Sequence, residues 1–86
     1  MNKQNDLSTL AKDLATRISY LETKLALAER ELESITSVAE DSDRFGLRLS
    51  LNFVLELARV SATVETIKGQ LHELKWTAKE LSTLAA

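Results

Sequence analysis

Residues 46–57 read GLRLSLNFVLEL, with leucine or phenylalanine at every second position: Leu47, Leu49, Leu51, Phe53, Leu55 and Leu57. Strict alternation is the signature of a half-buried strand, because successive side chains of a strand point to opposite faces. The same residues on a helix of 3.6 residues per turn divide between two sides. Leu49, Phe53, Leu57 and Val60 then share one side, and Leu47, Leu51, Val54, Leu55, Ala58 and Ala62 fall on the other. Leucine and glutamate are helix formers, and no β-branched residue occurs between 45 and 53, so the helix is the favoured reading. An edge ribbon over 45–53, able to pair with a second copy, is its rival.

The flanking sequence follows a helical rhythm. Stepping alternately by four and three from Leu7 gives Leu7, Ala11, Leu14, Ile18, Leu21, Leu25, Ala28, Leu32, Ile35 and Ala39, all apolar. In a chain that is 44% hydrophobic, ten in ten in one register arises by chance roughly three times in ten thousand. A second seam of equal length runs through Phe53, Leu57, Val60, Val64, Ile67, Leu71, Leu74, Ala78, Leu81 and Ala85. Two such seams in one chain predict two helices packed on each other in the manner of a coiled coil.

The segment EDSDRFG, residues 40–46, separates the two seams. Its acidic and hydroxyl residues suit helix caps, and Gly46 suits a positive φ. A connector this short makes the helices antiparallel. The fold expected is therefore all-α: one helical-hairpin domain over 1–86, with helix 1 at about 6–40, the connector at about 41–46 and helix 2 at about 47–84. At 1.5 Å per residue the rod would be about 50 Å long. Asn5, Asp6 or Ser8 can cap helix 1, and Asp41 and Asp43 are placed near the positive start of helix 2, with Lys75 and Lys79 toward its negative end. Two registers are open. If all ten layers meet, residue 7 opposes residue 85, the midpoint is Gly46 and 41–52 is connector. If helix 2 starts near Asp43, the layers shift by one heptad and Leu81 and Ala85 overhang.

Composition narrows the class. The 86 residues contain neither cysteine nor proline and only two glycines, which leaves no disulfide framework, no Cys-based zinc site and few helix breakers. Net charge is −2. No stretch approaches the roughly 18 apolar residues of a membrane span, and the N-terminus lacks the continuous apolar run of a signal peptide, so a cytoplasmic location is expected. Residues 1–43 carry five Lys/Arg and nine Asp/Glu, whereas 44–86 carry six and four. That opposition favours pairing helix 1 with helix 2 over pairing helix 1 with its own copy.

A two-helix hairpin buries one stripe of each helix, so the second apolar stripe of helix 2 is left facing water. The candidate protein interface is Leu47, Leu51, Val54, Leu55, Ala58, Ala62 and Trp76. Trp76, the only tryptophan, lies off the seam, and aromatic anchors of this kind are enriched at interface hot spots. A short helical chain commonly gains an adequate core by pairing, so a homodimeric four-helix bundle is expected, with another protein as a further partner.

Residues that could carry chemistry are few. His72, the only histidine, has Lys68, Gly69, Lys75 and Trp76 at helical neighbour positions, which offer no metal ligand set and no acid/base partner. The glutamates at 29, 31, 33 and 40 lack the Glu-x-x-His pattern of bundle metal sites and read as a solvated face. Phosphate loop, nucleophile elbow and calcium loop are all missing. The expectation is no enzyme, cofactor, metal or small-molecule substrate, and no membrane partner. The alternative function is a dimeric helical hairpin that binds RNA or another nucleic acid. Against it, Arg44, Arg48 and Arg59 lie on one flank of helix 2 and Lys68, Lys75 and Lys79 on the other, so no single basic stripe tracks a phosphate backbone.

Overall fold

A computed structural model describes residues 3–44, 46, 48 and 50–85, with side chains for 6–44, 46, 48 and 50–84. Two helices, α1 (Lys3–Arg44) and α2 (Leu51–Ala85), pack along their lengths as an antiparallel hairpin with overall dimensions of 65 × 17 × 15 Å. The described residues contain no strand. The alternating stretch is divided between the connector and the first two turns of α2, where its described members go to opposite sides as a helical period requires, while Leu47 and Leu49 lie outside the described residues. Phe53 and Leu57 are half-buried against α1, and Leu51 and Leu55 are exposed.

Both ends of the connector differ from expectation, for local reasons. α1 continues to Arg44, past the expected end near 40. Gly46 then takes the left-handed conformation, φ +69°, and donates its N–H to the carbonyl of Asp43 at 3.0 Å, which closes the helix as a positive-φ glycine does. α2 begins at Leu51, later than the expected 47, because Ser50 caps it. The Ser50 Oγ accepts from the Phe53 N–H at 3.1 Å, and the Ser50 carbonyl accepts from the Val54 N–H at 3.1 Å. Asp41 and Asp43 are consequently in the last turns of α1, not at the start of α2, whose first turn holds no acidic residue. At the other end α1 starts at Lys3, so Asn5, Asp6 and Ser8 lie inside it, with Asp6 in its first turn where the dipole favours a carboxylate.

The register is the one in which all layers meet. Ala28 shares a buried cluster with Val64, Ile67 and Leu71, and Ile18, Leu21, Leu25 and Leu32 pack against it. Leu7 and Ala11 lie beside Ala78 and Leu81 at the open end. A one-heptad shift would set Ala28 opposite Leu57 instead. Across the two helices Arg59 of α2 reaches Glu31 of α1 at 3.3 Å, consistent with the same alignment.

The core is thin. Among the described residues the buried apolar side chains are Leu14 and Ala28 from α1 and Val60, Val64, Ile67, Leu71 and Leu81 from α2, of which Val60 and Val64 are sealed almost completely. The rest of the α1 seam is half-buried apart from Ala11, which is exposed. Each layer of a two-helix hairpin has neighbours above, below and across, but water on both flanks, so a leucine at the seam keeps an edge in solvent. Six threonines are accommodated by bonding their hydroxyls to the carbonyl one turn back, as Thr66 does to Ala62 at 2.9 Å. No helix among the described residues is long and apolar enough to cross a membrane.

Candidate functional site: the outer face of the second helix

Residues 51, 55, 58, 62, 69 and 76 recur at steps of four, three, four, seven and seven, which is the period of a single stripe along a helix. In α2 these are Leu51, Leu55, Ala58, Ala62, Gly69 and Trp76, with Val54 alongside, and all are exposed. They lie on the side of α2 turned away from the seam that α1 covers. Leu51 is 72% exposed, Trp76 61%, Leu55 57% and Val54 45%. Of the residues expected at an interface, six therefore form one face, and Leu47 lies outside the described residues. The stripe is apolar without interruption over the first three turns of α2. Farther along it is interrupted by Glu65, Glu73 and Glu80.

Trp76 has a definite setting. With His72, Glu73 and Thr77 it lines a shallow hollow on the surface of α2, and the Thr77 hydroxyl is held by the Glu73 carbonyl at 2.9 Å. The indole is thus presented by a rigid helix with its ring open to solvent. α1 contributes less outside its seam: Leu10, Tyr20, Leu27 and Val38 are exposed, and Lys24 sits over the Tyr20 ring with its ammonium 5.3 Å from the centroid.

Gly69 continues the outer stripe toward Trp76, as its spacing implies, and the structure sets it apart. A Cβ added there would meet nothing within 4 Å, so packing inside this chain does not require glycine. Glycine in mid-helix nevertheless costs roughly 0.5–1 kcal/mol relative to alanine. The available signal in sequence was a lone glycine in a 35-residue helical period. The open end of the hairpin is a second apolar opening, where Leu7, Ala11, Ala78, Leu81 and Leu84 line a groove and Leu84 is the most exposed large hydrophobic side chain among the described residues.

A polar constellation that joins the helices centres on Arg59. Its Nε donates to Glu56 Oε2 at 3.1 Å, a second nitrogen donates to the other Glu56 oxygen, and the same nitrogen reaches Glu31. The hydrogen bond from Arg59 is the main reason the Glu56 carboxyl titrates below the ordinary glutamate range, and the reciprocal bond raises the guanidinium further. All three side chains are about half exposed, which marks the cluster as a surface clip of small energetic weight. Among the described residues no group of three or more His, Cys, Asp or Glu is placed to hold a metal ion.

Compared with protein-family models, with curated proteins and with solved structures, the chain gives no significant match.

Proposed function

We propose that the chain is a non-enzymatic protein–protein interaction module, a small adaptor, chaperone or inhibitor, whose working surface is the outer face of α2. The observation that carries this reading is the solvent exposure of Leu51, Val54, Leu55 and Trp76 on one face of a helix whose other face is already used by the core. A protein seldom keeps a contiguous apolar stripe in water unless something covers it for part of the time. A helix with a smooth aliphatic start and an aromatic anchor farther along fits the common mode in which an apolar helix face meets a groove or another helix.

The test uses charge placed in the stripe. The full-length chain and its Leu51→Glu/Ala58→Glu variant are compared by circular dichroism, by light scattering over a concentration series, and by affinity capture from the native host. Helicity should be unchanged, because both positions are exposed. Self-association and the captured partner should both be lost with the stripe. Association and capture that survive in the variant would remove this face from the function.

A further inference from the structure

The two long grooves between the helices differ in charge. Acid is concentrated in the half of the hairpin nearer the connector: residues 25–67 carry eight Asp/Glu and four Lys/Arg, a net −4. The open half, residues 1–24 with 68–86, carries five and seven, a net +2. In the connector half, Glu29, Glu33 and Glu40 of α1 line a single groove with Leu32, Val64 and Lys68. The ion pairs among the described residues join Arg59 to Glu31 and Glu56, and Lys68 to Glu65. None of the three groove carboxylates therefore has a cation within 4.0 Å. The groove on the other side of the hairpin is lined by Arg17, Lys24 and Arg59 against Glu73, with threonines on the α2 side.

The wall that faces the three carboxylates is apolar. Val54 and Ser61 precede Lys68 at intervals of seven on α2, which keeps all three on the same side of that helix. Leu51 and Ala58, one turn to either side of Val54, form the outer edge of the groove, and all three of these apolar side chains are exposed. In the register that sets Ala28 beside Val64, they come level with residues 34–41 of α1, next to Glu33 and Glu40. The acidic wall from Glu29 to Glu40 is about 17 Å long at 1.5 Å per residue, or about three helical turns.

We infer that the partner docked by α2 is a cationic amphipathic helix. It lies in this groove as a third helix, with its apolar face on Leu51, Val54 and Ala58 and a row of Lys or Arg along Glu29, Glu33 and Glu40. The inference rests on the docking reading of α2 and adds the chemistry and the seat of the partner. The furrow between two packed helices has the shape that another helix fills. Its lining selects the charge. A neutral helix would take water from three carboxylates and return no counter-charge, and a polyanion would be repelled. Lys68, at the end of the groove away from the connector, sets the limit of the cationic row.

The test uses the full chain and, as probe, a labelled synthetic helix of about 18 residues with leucine along one face and lysine along its flank. Fluorescence anisotropy should show saturable binding that falls about tenfold or more between 0.05 and 0.5 M salt. The same peptide with glutamate in place of lysine should not bind. Glu29→Gln/Glu33→Gln/Glu40→Gln should weaken binding about tenfold or more. Asp6→Asn/Asp13→Asn/Glu80→Gln removes the same charge outside the groove and should leave binding as it was. Circular dichroism checks that each variant keeps its helices, and NMR amide shifts on adding the peptide should move over 29–40 and 51–61.

Unchanged binding in the groove variant would overturn the inference, and so would equal weakening in both variants, which reduces the effect to bulk charge. Shift changes confined to the stripe from Leu55 to Trp76 would overturn it as well. A chain whose self-association the peptide cannot displace would give the groove to a second copy and overturn the cationic partner. If the groove fails but Leu51→Glu/Ala58→Glu still abolishes self-association and capture from the host, the docking reading of α2 stands. If neither set of substitutions has an effect, both fail.

Discussion

Ser50 and Arg59 show how single side chains set the boundaries and the alignment of this hairpin. The hydroxyl of Ser50 accepts the Phe53 N–H and so decides where α2 begins. Arg59 clasps Glu56 within α2 and Glu31 across the gap, and it belongs to the register in which all layers of the two seams meet. The clip is pH-sensitive in a defined sense. The Glu56 carboxyl is depressed in the folded chain, chiefly by its hydrogen bond from Arg59. Its contribution to stability is therefore present above the unfolded glutamate value and is lost as pH falls through the folded value. Following the Glu56 carboxyl by NMR should give a midpoint that moves up in Arg59→Gln, and an unmoved midpoint would show that the guanidinium is not the cause. Neither Ser50 nor Arg59 stood out in sequence. Serine occurs at eight positions, and the partner of Arg59 on the other helix becomes visible only once the register is known.

At the scale of elements, the two helices differ in what their sequences ask of them. α1 is amphipathic with a single seam, and almost everything about it except its last turn could be read from periodicity. α2 is apolar on two sides, which lowers its amphipathic contrast and made its start ambiguous. The ambiguity was physical: GLRLSLNFVLEL satisfies a strand period and a helix period together until a cap selects between them. Ser50→Ala should therefore cost about 1 kcal/mol, within the range of N-cap losses, and should shorten α2 from its first turn. Urea unfolding combined with amide exchange of Phe53 and Val54 measures both. A variant with unchanged protection at those amides would mean that the seam alone positions the start of α2.

For the whole molecule, the balance between surface and core governs behaviour. Among the described residues the buried apolar side chains number seven, with Ala28 and Val64 in the main cluster, which is a small core. If a second copy supplies the missing layer, stability is coupled to concentration by mass action, so the thermal midpoint should rise as the chain is concentrated. Differential scanning calorimetry over a hundredfold range of concentration tests this. A midpoint independent of concentration would mark the isolated hairpin as self-sufficient. The candidate face was largely legible beforehand, since exposure on the outside of α2 follows from which residues the seam does not use. The place of Gly69 on that face follows from its spacing, but the open space around it is spatial: no neighbour in its own chain explains a glycine there.

The amino-acid sequence by itself determined two antiparallel helices and the residues of their shared seam, because apolar spacing at four and three admits only one way to hide those side chains. Tertiary structure decided the register, the last turn of α1, the first residue of α2 and the separation of charge between the two ends. Register and charge separation depend on which residues come level when the chain doubles back, a relation between positions far apart in sequence that no local pattern encodes, whereas the two helix ends rest on the local closures at Gly46 and Ser50, which periodicity does not single out.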